Sequence, residues 1–269
     1  MSPSSVIFDL DGVLWWGDQP MPDAAAVVAR LRSGGFRVGF CTNNSTRHRR
    51  DVAAKLTRLG MPATPDDVLT AGALAAAIVS KRYPGRPVLC VGEDGLRSEL
   101  AEVGVALAED PGEATAVVLG LDRSVDFARL RDAHRAIVAG AAFIATNPDV
   151  TLPEDDGGSC PGCGALIAAL ERSTGVRAEC LGKPEPTLFS HCASRWGVHP
   201  ADVAIVGDRL DTDIVAANRF GGMGILALTG MTSLDAATAS TGESRPCAII
   251  ESLADLPRAL GLGEAGVVS

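Results

Sequence analysis

A chain of 269 residues with 46% apolar residues and a formal net charge of −9 is long enough to bury one or two cores and too apolar for a disordered segment. Its acidic balance lacks the basic footprint that nucleic acid or an anionic membrane surface requires, so neither is an expected partner. Its seven cysteines are an odd, scattered set, and the start "MSPSSVIFDL" has no basic n-region or apolar h-region, so reduced thiols in a soluble, cytoplasmic protein are expected.

The first element is "VIFDL", a β-branched apolar run that reads as a buried strand. Asp9 and Asp11 end it within one turn, and two carboxylates so placed are costly unless something offsets their charge. Gly12 allows a tight turn. Trp15 and Trp16 follow, placed to line a site entrance or to pack between a core and an inserted segment. A helix over residues 23–31 is closed by Gly34 and Gly35, and "FRVGFCT" forms the next strand, ending at Thr42, Asn43 and Asn44. Residues 46–59 predict a helix with Val52, Leu56 and Leu59 on one face; Arg47, Arg49, Arg50, Lys55 and Arg58 read as its solvated face.

Further strand and helix units come from "PVLCVGEDG", "TAVVLGLD", residues 127–138 and "AFIATNPD". The polar segment "PEDDGGSCPGCG" and a helix over residues 165–172 complete this stretch. "CPGC", from Cys160 to Cys163, has no second Cys/His pair for zinc and no early strand-to-helix setting for redox chemistry, so it reads as a tight loop. His48, His134, His191 and His199 read as surface residues, and Asn147 and Asp149 as an Asx turn around Pro148 or a return segment. After "LGKPEP" the pattern resumes with "DVAIVGDRLDTDIVAANRFG" and "GILALTG". Such alternation predicts an α/β fold: a Rossmann-like, doubly wound parallel sheet core over residues 1–84 and 179–269, interrupted by an inserted αβ unit over residues 85–178.

In open parallel sheets, ligands bind beyond the carboxyl ends of the strands. Four such places carry polar residues: Asp9 and Asp11, Thr42 to Asn44, Lys183 in "GKP", and Asp208 in "GDRLDTD". The segments "DLDGVL", "TNNS", "GKPEP" and "GDRLDTDI" resemble the four motifs of the haloacid dehalogenase superfamily. They are most similar to its C2-capped branch of 4-nitrophenylphosphatase-like, phosphoglycolate and pyridoxal phosphate phosphatases, and "ATNPDVTLP" with "GCGALIAALE" resembles that branch's cap and return segment.

The resemblance implies a Mg²⁺-dependent phosphomonoesterase acting on a small phosphorylated metabolite. Asp9 would be the nucleophile and Asp11 the general acid and base. Asp9, Asp208 and the backbone carbonyl of Asp11 would hold the metal, with Asp213 orienting its waters and Asp211 capping the following helix. Thr42, Asn43, Asn44 and Lys183 would hold the phosphoryl group. The inserted unit becomes a C2-type cap, with specificity elements over residues 121–123 and 154–166. A phosphotransferase or mutase with the same aspartyl-phosphate and a non-catalytic phosphometabolite-binding protein stay open as alternatives, as does a homodimer. A dehalogenase is disfavoured, because it needs neither Asp11 nor the acidic "GDRLDTD".

Overall fold

The structure is a computed structural model, and it describes residues 3–153 and 158–262. The chain divides into two compact units, residues 1–42, 53–68 and 183–269 in the first and residues 43–52 and 69–182 in the second.

The first unit is built on a six-stranded sheet in the order Ala248–Ile250, Met223–Ala227, Val203–Gly207, Ser5–Phe8, Arg37–Thr42 and Val68–Thr70. The registers linking the first five of these are parallel. Val6, Ile7, Phe8, Phe40, Ile205 and Val206 are buried. That is why these strands read as continuous apolar runs: helices cover a parallel sheet on both faces, so no residue along a strand needs to face water. From Ser5–Phe8 the chain winds outward to Arg37–Thr42 and later to Val203–Gly207 on the opposite side. Strand order therefore reverses at Ser5–Phe8, the place where a doubly wound sheet opens a crevice beyond its carboxyl ends. The doubly wound core expected from the sequence is observed.

The second unit has its own parallel sheet, ordered Glu179–Cys180, Ala142–Ala145, Ala116–Leu119 and Val88–Val91, and an antiparallel pair, Thr151–Pro153 with Ser159–Pro161. Its core gathers Val117, Leu119, Ile137, Phe143, Ile167 and Leu170. The unit begins earlier than residue 85: helix Ala71–Arg82 belongs to it and packs against Asp94–Glu102. The expected boundary at residue 178 likewise falls inside it, since Glu179–Cys180 is a strand of its sheet.

Three local expectations are corrected. His48 is buried, with Nε2 3.1 Å from Glu102 Oε2 and Nδ1 accepting from the backbone N–H of Arg50. Arg49 departs from the expected solvated face: it is half-buried and pairs with Glu99 at 3.0 Å and with Glu102, whereas Arg50 is exposed as expected and reaches Glu102 at 2.6 Å. Helix Arg49–Arg58 is correspondingly shorter at its start than predicted. Cys160 and Cys163 do not share a loop, because Cys160 lies in strand Ser159–Pro161 and Cys163 opens helix Cys163–Thr174. Burial pushes the Cys163 thiol up to about 12, so it is not the thiolate that redox chemistry uses. All seven cysteines are free thiols. Among the described residues no helix is long and apolar enough to cross a membrane.

Candidate active site

Three adjacent parallel strands present polar residues at one edge of the first unit's sheet. Asp9 follows Ser5–Phe8, Thr42 closes Arg37–Thr42, and Asp208 follows Val203–Gly207. Phe8 lies opposite both Phe40 and Val206, and the Asp9 N–H donates to the Val206 carbonyl at 2.8 Å, which carries the ladder one residue beyond the strand. Strand register alone thus sets Asp9 between its neighbours.

Beyond Asp9 the chain folds back, with the Leu14 N–H donating to the Leu10 carbonyl at 2.8 Å and the Gly12 N–H to the Trp15 carbonyl at 2.9 Å. Gly12 has φ +80°, and a Cβ there would lie 2.6 Å from Asp208 Oδ2. Both the left-handed backbone and the close approach to a carboxylate demand glycine. Asp11, in the same turn, accepts a 2.7 Å hydrogen bond at Oδ1 from Trp15 Nε1.

Lys183, almost fully buried, joins the carboxylates, its ammonium donating to Asp9 Oδ1 and to Asp213 Oδ1 at 2.6 Å each. The backbone turn over Leu210–Ile214 returns Asp213 to the Asp208 end of its strand, where Asp213 Oδ2 accepts from the Arg209 N–H at 3.1 Å. Asp211 does not cap the following helix; it lies outside, paired with Arg209 at 2.8 Å. Carboxylate oxygens of Asp9, Asp208 and Asp213 all lie within 4.8 Å of one another, and among the described residues no other cluster of this kind occurs.

The electrostatics follow from that crowding. Burial, aided by the charges of Asp213 and Asp208, drives the Asp9 carboxyl well above the usual range, against the opposing pull of Lys183. Burial and Asp213 push Asp208 up to about 6, while the Met231 N–H, donating to Oδ2 at 2.8 Å, works the other way. Burial by itself would lower Lys183, but Asp213 and Asp9 outweigh it and hold the ammonium charged. The centre carries more negative charge than one lysine offsets. Its donors are all carboxylate oxygens, which suits a hard divalent cation such as Mg²⁺ rather than zinc or copper.

Of the residues expected at the site, Asp9, Asp208, Asp213 and Lys183 are brought together, with Asp11 and Thr42 on the same sheet edge. Asn43 and Asn44 belong to the second unit. There Asn43 Nδ2 donates to Asp149 Oδ2 at 3.1 Å, and the Asn43 carbonyl accepts from Asn147 Nδ2 at 2.8 Å. Asn44 Oδ1 accepts from the backbone N–H and the hydroxyl of Thr46, both at 2.8 Å, an Asx turn. In the first specificity segment, Asp122 is buried and bonded to Ser124 and Arg129. Of the second, residues 154–157 lie outside the described residues, while Leu166 packs against the second unit's core.

Sequence reasoning missed the segment from Thr229 to Thr232. Besides the Met231 N–H, the Thr232 hydroxyl donates to the Asp208 carbonyl at 2.6 Å and the Thr229 hydroxyl to the Gly12 carbonyl at 2.7 Å. Its signal was available, since "LTGMT" follows Met223–Ala227, the next parallel strand of the same sheet.

The chain matches the family model described as haloacid dehalogenase-like hydrolase over residues 6–106, and one described as HAD-hydrolase-like over residues 180–256. It is 38% identical to chronophin of Rattus norvegicus over 270 residues, covering 95% of this chain and 87% of that protein. The structure of p-nitrophenyl phosphatase from Archaeoglobus fulgidus matches with a TM-score of 0.91 at 32% identity, over 96% of this chain and 100% of that one. Glycerol phosphate phosphatase from Mycobacterium tuberculosis in complex with magnesium matches with a TM-score of 0.88 at 36% identity, over 95% of this chain and 79% of that one.

Proposed function

We propose, from the premise that the chain belongs to the haloacid dehalogenase-like hydrolase family, that it is a Mg²⁺-dependent phosphatase hydrolysing a small phosphorylated metabolite through an aspartyl-phosphate. The observation that carries this reading is the buried Lys183 ammonium, 2.6 Å from both Asp9 and Asp213, with Asp208 in the same carboxylate cluster. A lone nucleophilic carboxylate would need none of these neighbours; one that must meet a phosphate dianion needs cations beside it. Phosphatase relatives, one of them solved with magnesium, support the same class.

In the first half-reaction an oxygen of Asp9 forms a bond to phosphorus, the ester P–O bond breaks, and Asp11 gives its proton to the leaving oxygen. In the second, a water oxygen bonds to phosphorus, Asp11 takes the water's proton, and the Asp9–phosphorus bond breaks to release phosphate. Lys183 orients Asp9 through Oδ1 and, with the Thr42 hydroxyl and Asn43, holds the phosphoryl oxygens. Asp9, Asp208 and the Asp11 carbonyl would hold Mg²⁺, which would supply positive charge to the crowded carboxylates and the phosphate. Asp213, whose oxygens accept from Lys183 and the Arg209 N–H, keeps Lys183 in place and would orient the waters of a bound metal. The second unit serves as the cap that selects the leaving group; Asn43 and Asn44 apart, it holds none of the residues assigned to the chemistry.

Phosphate release across a panel of small phosphate esters, with Mg²⁺ present or chelated, tests the reading. Metal-dependent turnover that Asp9→Asn abolishes is expected. Turnover that survives both chelation and Asp9→Asn overturns it.

A further inference from the structure

Asp11 is the residue on which both half-reactions turn, and its surroundings contain a donor that the chemistry above does not use. Trp15 Nε1 donates to Asp11 Oδ1 at 2.7 Å. The indole is only 3% exposed, and its N–H is its one polar atom. Three features hold the ring. The Lys55 ammonium lies 4.3 Å from the ring centroid, and is itself anchored by donating to the Gly17 carbonyl at 2.6 Å. Trp15 pairs with Pro20 in the short antiparallel ribbon of Trp15–Trp16 with Gln19–Pro20. Its backbone closes the turn containing Asp11, through the Gly12 N–H and the bridge between Asp11 and Trp15.

We propose that Trp15 is a positioning residue that acts through Asp11, its indole N–H fixing one carboxyl oxygen so that proton transfer falls to the other. This rests on the role assigned to Asp11 above. An indole N–H only donates, so Oδ1 accepts whether Asp11 is an acid or a carboxylate, and the acid's proton resides on Oδ2. The same bond therefore serves the acid step and the base step, and the carboxyl has no need to rotate between them. Phenylalanine keeps an aromatic face toward the same ammonium but is smaller than the indole, whereas benzothienylalanine keeps the bicyclic shape and lacks only the N–H.

The test compares Trp15→Phe, Asp11→Asn and the double variant on two esters of similar size, 4-nitrophenyl phosphate and phenyl phosphate, whose leaving group depends more on protonation. General acid–base catalysis contributes about 10²- to 10⁴-fold, so Trp15→Phe should slow phosphorylation of Asp9 by phenyl phosphate, read in a single turnover by rapid quench, by about tenfold or more and should spare phosphorylation by 4-nitrophenyl phosphate, while hydrolysis of the phosphoenzyme, common to both esters, slows alike. In the Asp11→Asn background the same substitution should cost nothing further. Benzothienylalanine at position 15 keeps the shape of the ring without the N–H and should reproduce the effect if Trp15→Phe does not fold. Equal losses of phosphorylation rate on both esters, or the same loss with and without Asp11, would show a merely structural role and overturn the proposal. Wild-type turnover of phenyl phosphate by Asp11→Asn would overturn the role of Asp11 itself, and the proposal with it.

Discussion

Gly230 tests whether the Thr229–Thr232 segment sets the position of Asp208. A Cβ at residue 230 would stand 2.5 Å from Asp208 Cγ and 2.6 Å from its Cβ, where ordinary contact begins at 3.4 Å. Asp208 Oδ2 would lie closer still, so Gly230→Ala must open at least about 0.9 Å of separation, and Asp208 is 2% exposed, so its side chain has no free volume in which to swing away. Either the carboxylate shifts or the loop does, and a loop shift pulls the Met231 N–H from Asp208 Oδ2, 2.8 Å away. A misplacement near 1 Å costs about 10²-fold in rate, and disturbing a ligand's supporting bonds costs about 10- to 100-fold in metal affinity. Mg²⁺ affinity by calorimetry and kcat/KM on 4-nitrophenyl phosphate should both fall by such factors, with the fold retained by circular dichroism. Gly35→Ala is the control, because nothing lies within 4 Å of that position and its φ of +84° leaves only backbone strain. Wild-type Mg²⁺ affinity and kcat/KM in Gly230→Ala would refute the reasoning.

Lys183→Met leaves the carboxylates of Asp9 and Asp213 buried without their cation, and should lower stability in urea by about 3 kcal/mol at neutral pH as well as abolish turnover; unchanged stability would mean the two carboxyls simply take up protons. Asp9→Asn should yield no covalent phosphoenzyme, whereas Asp11→Asn should still form one from 4-nitrophenyl phosphate and then stall, which rapid quench with labelled ester would detect; label on any residue other than Asp9 contradicts the assignment. The raised Asp208 gives a signed pH dependence. In the metal-free fold its proton is held to about pH 6, against 3.8 when unperturbed, so this group's contribution to stability is full below 3.8 and is lost as pH rises through 6. Mg²⁺ must displace that proton below pH 6, so its affinity should weaken as pH falls from 7 to 5, and a flat affinity over that range would argue that Asp208 does not meet the metal.

The centre was legible because its residues violate the pattern around them. A carboxylate directly after "VIF" or "AIVG" has no place in a buried strand unless the strand ends at a site, and these two, with the polar residues of Thr42 to Asn44 and Lys183, point to one crevice. Asp213 was less legible, because its return to Lys183 depends on a wide turn over Leu210–Ile214 that no spacing rule for an ordinary helix anticipates. His48 and Arg49 do not lie in solvent as the sequence suggests, because their partners, Glu99 and Glu102, lie about fifty residues further along the chain. Local sequence shows the charge of a side chain but not what a distant helix sets against it. The early start of the second unit had a signal that was passed over: Ala71–Arg82 is apolar nearly all round, as a helix packed on several sides must be.

The charge count at the centre explains how a protein of net charge −9 can take an anion. Asp9, Asp11, Asp208 and Asp213 bring four negative charges, and Lys183 returns one. Such a deficit would repel a phosphate dianion, and it adds to burial, the larger cause, in raising Asp9 and Asp208 in the metal-free fold. On the proposed reading a divalent cation removes two of the remaining charges, and Asp11 in its acid form removes the last. The site that meets the ester is then close to neutral, and it regains a negative charge only when Asp11 has given its proton to the departing oxygen. That charge is what the second step requires, since Asp11 must then draw a proton from water. The excess of carboxylates over lysines therefore serves the chemistry, because it leaves one acid whose proton can leave and return while the rest of the centre keeps its charge.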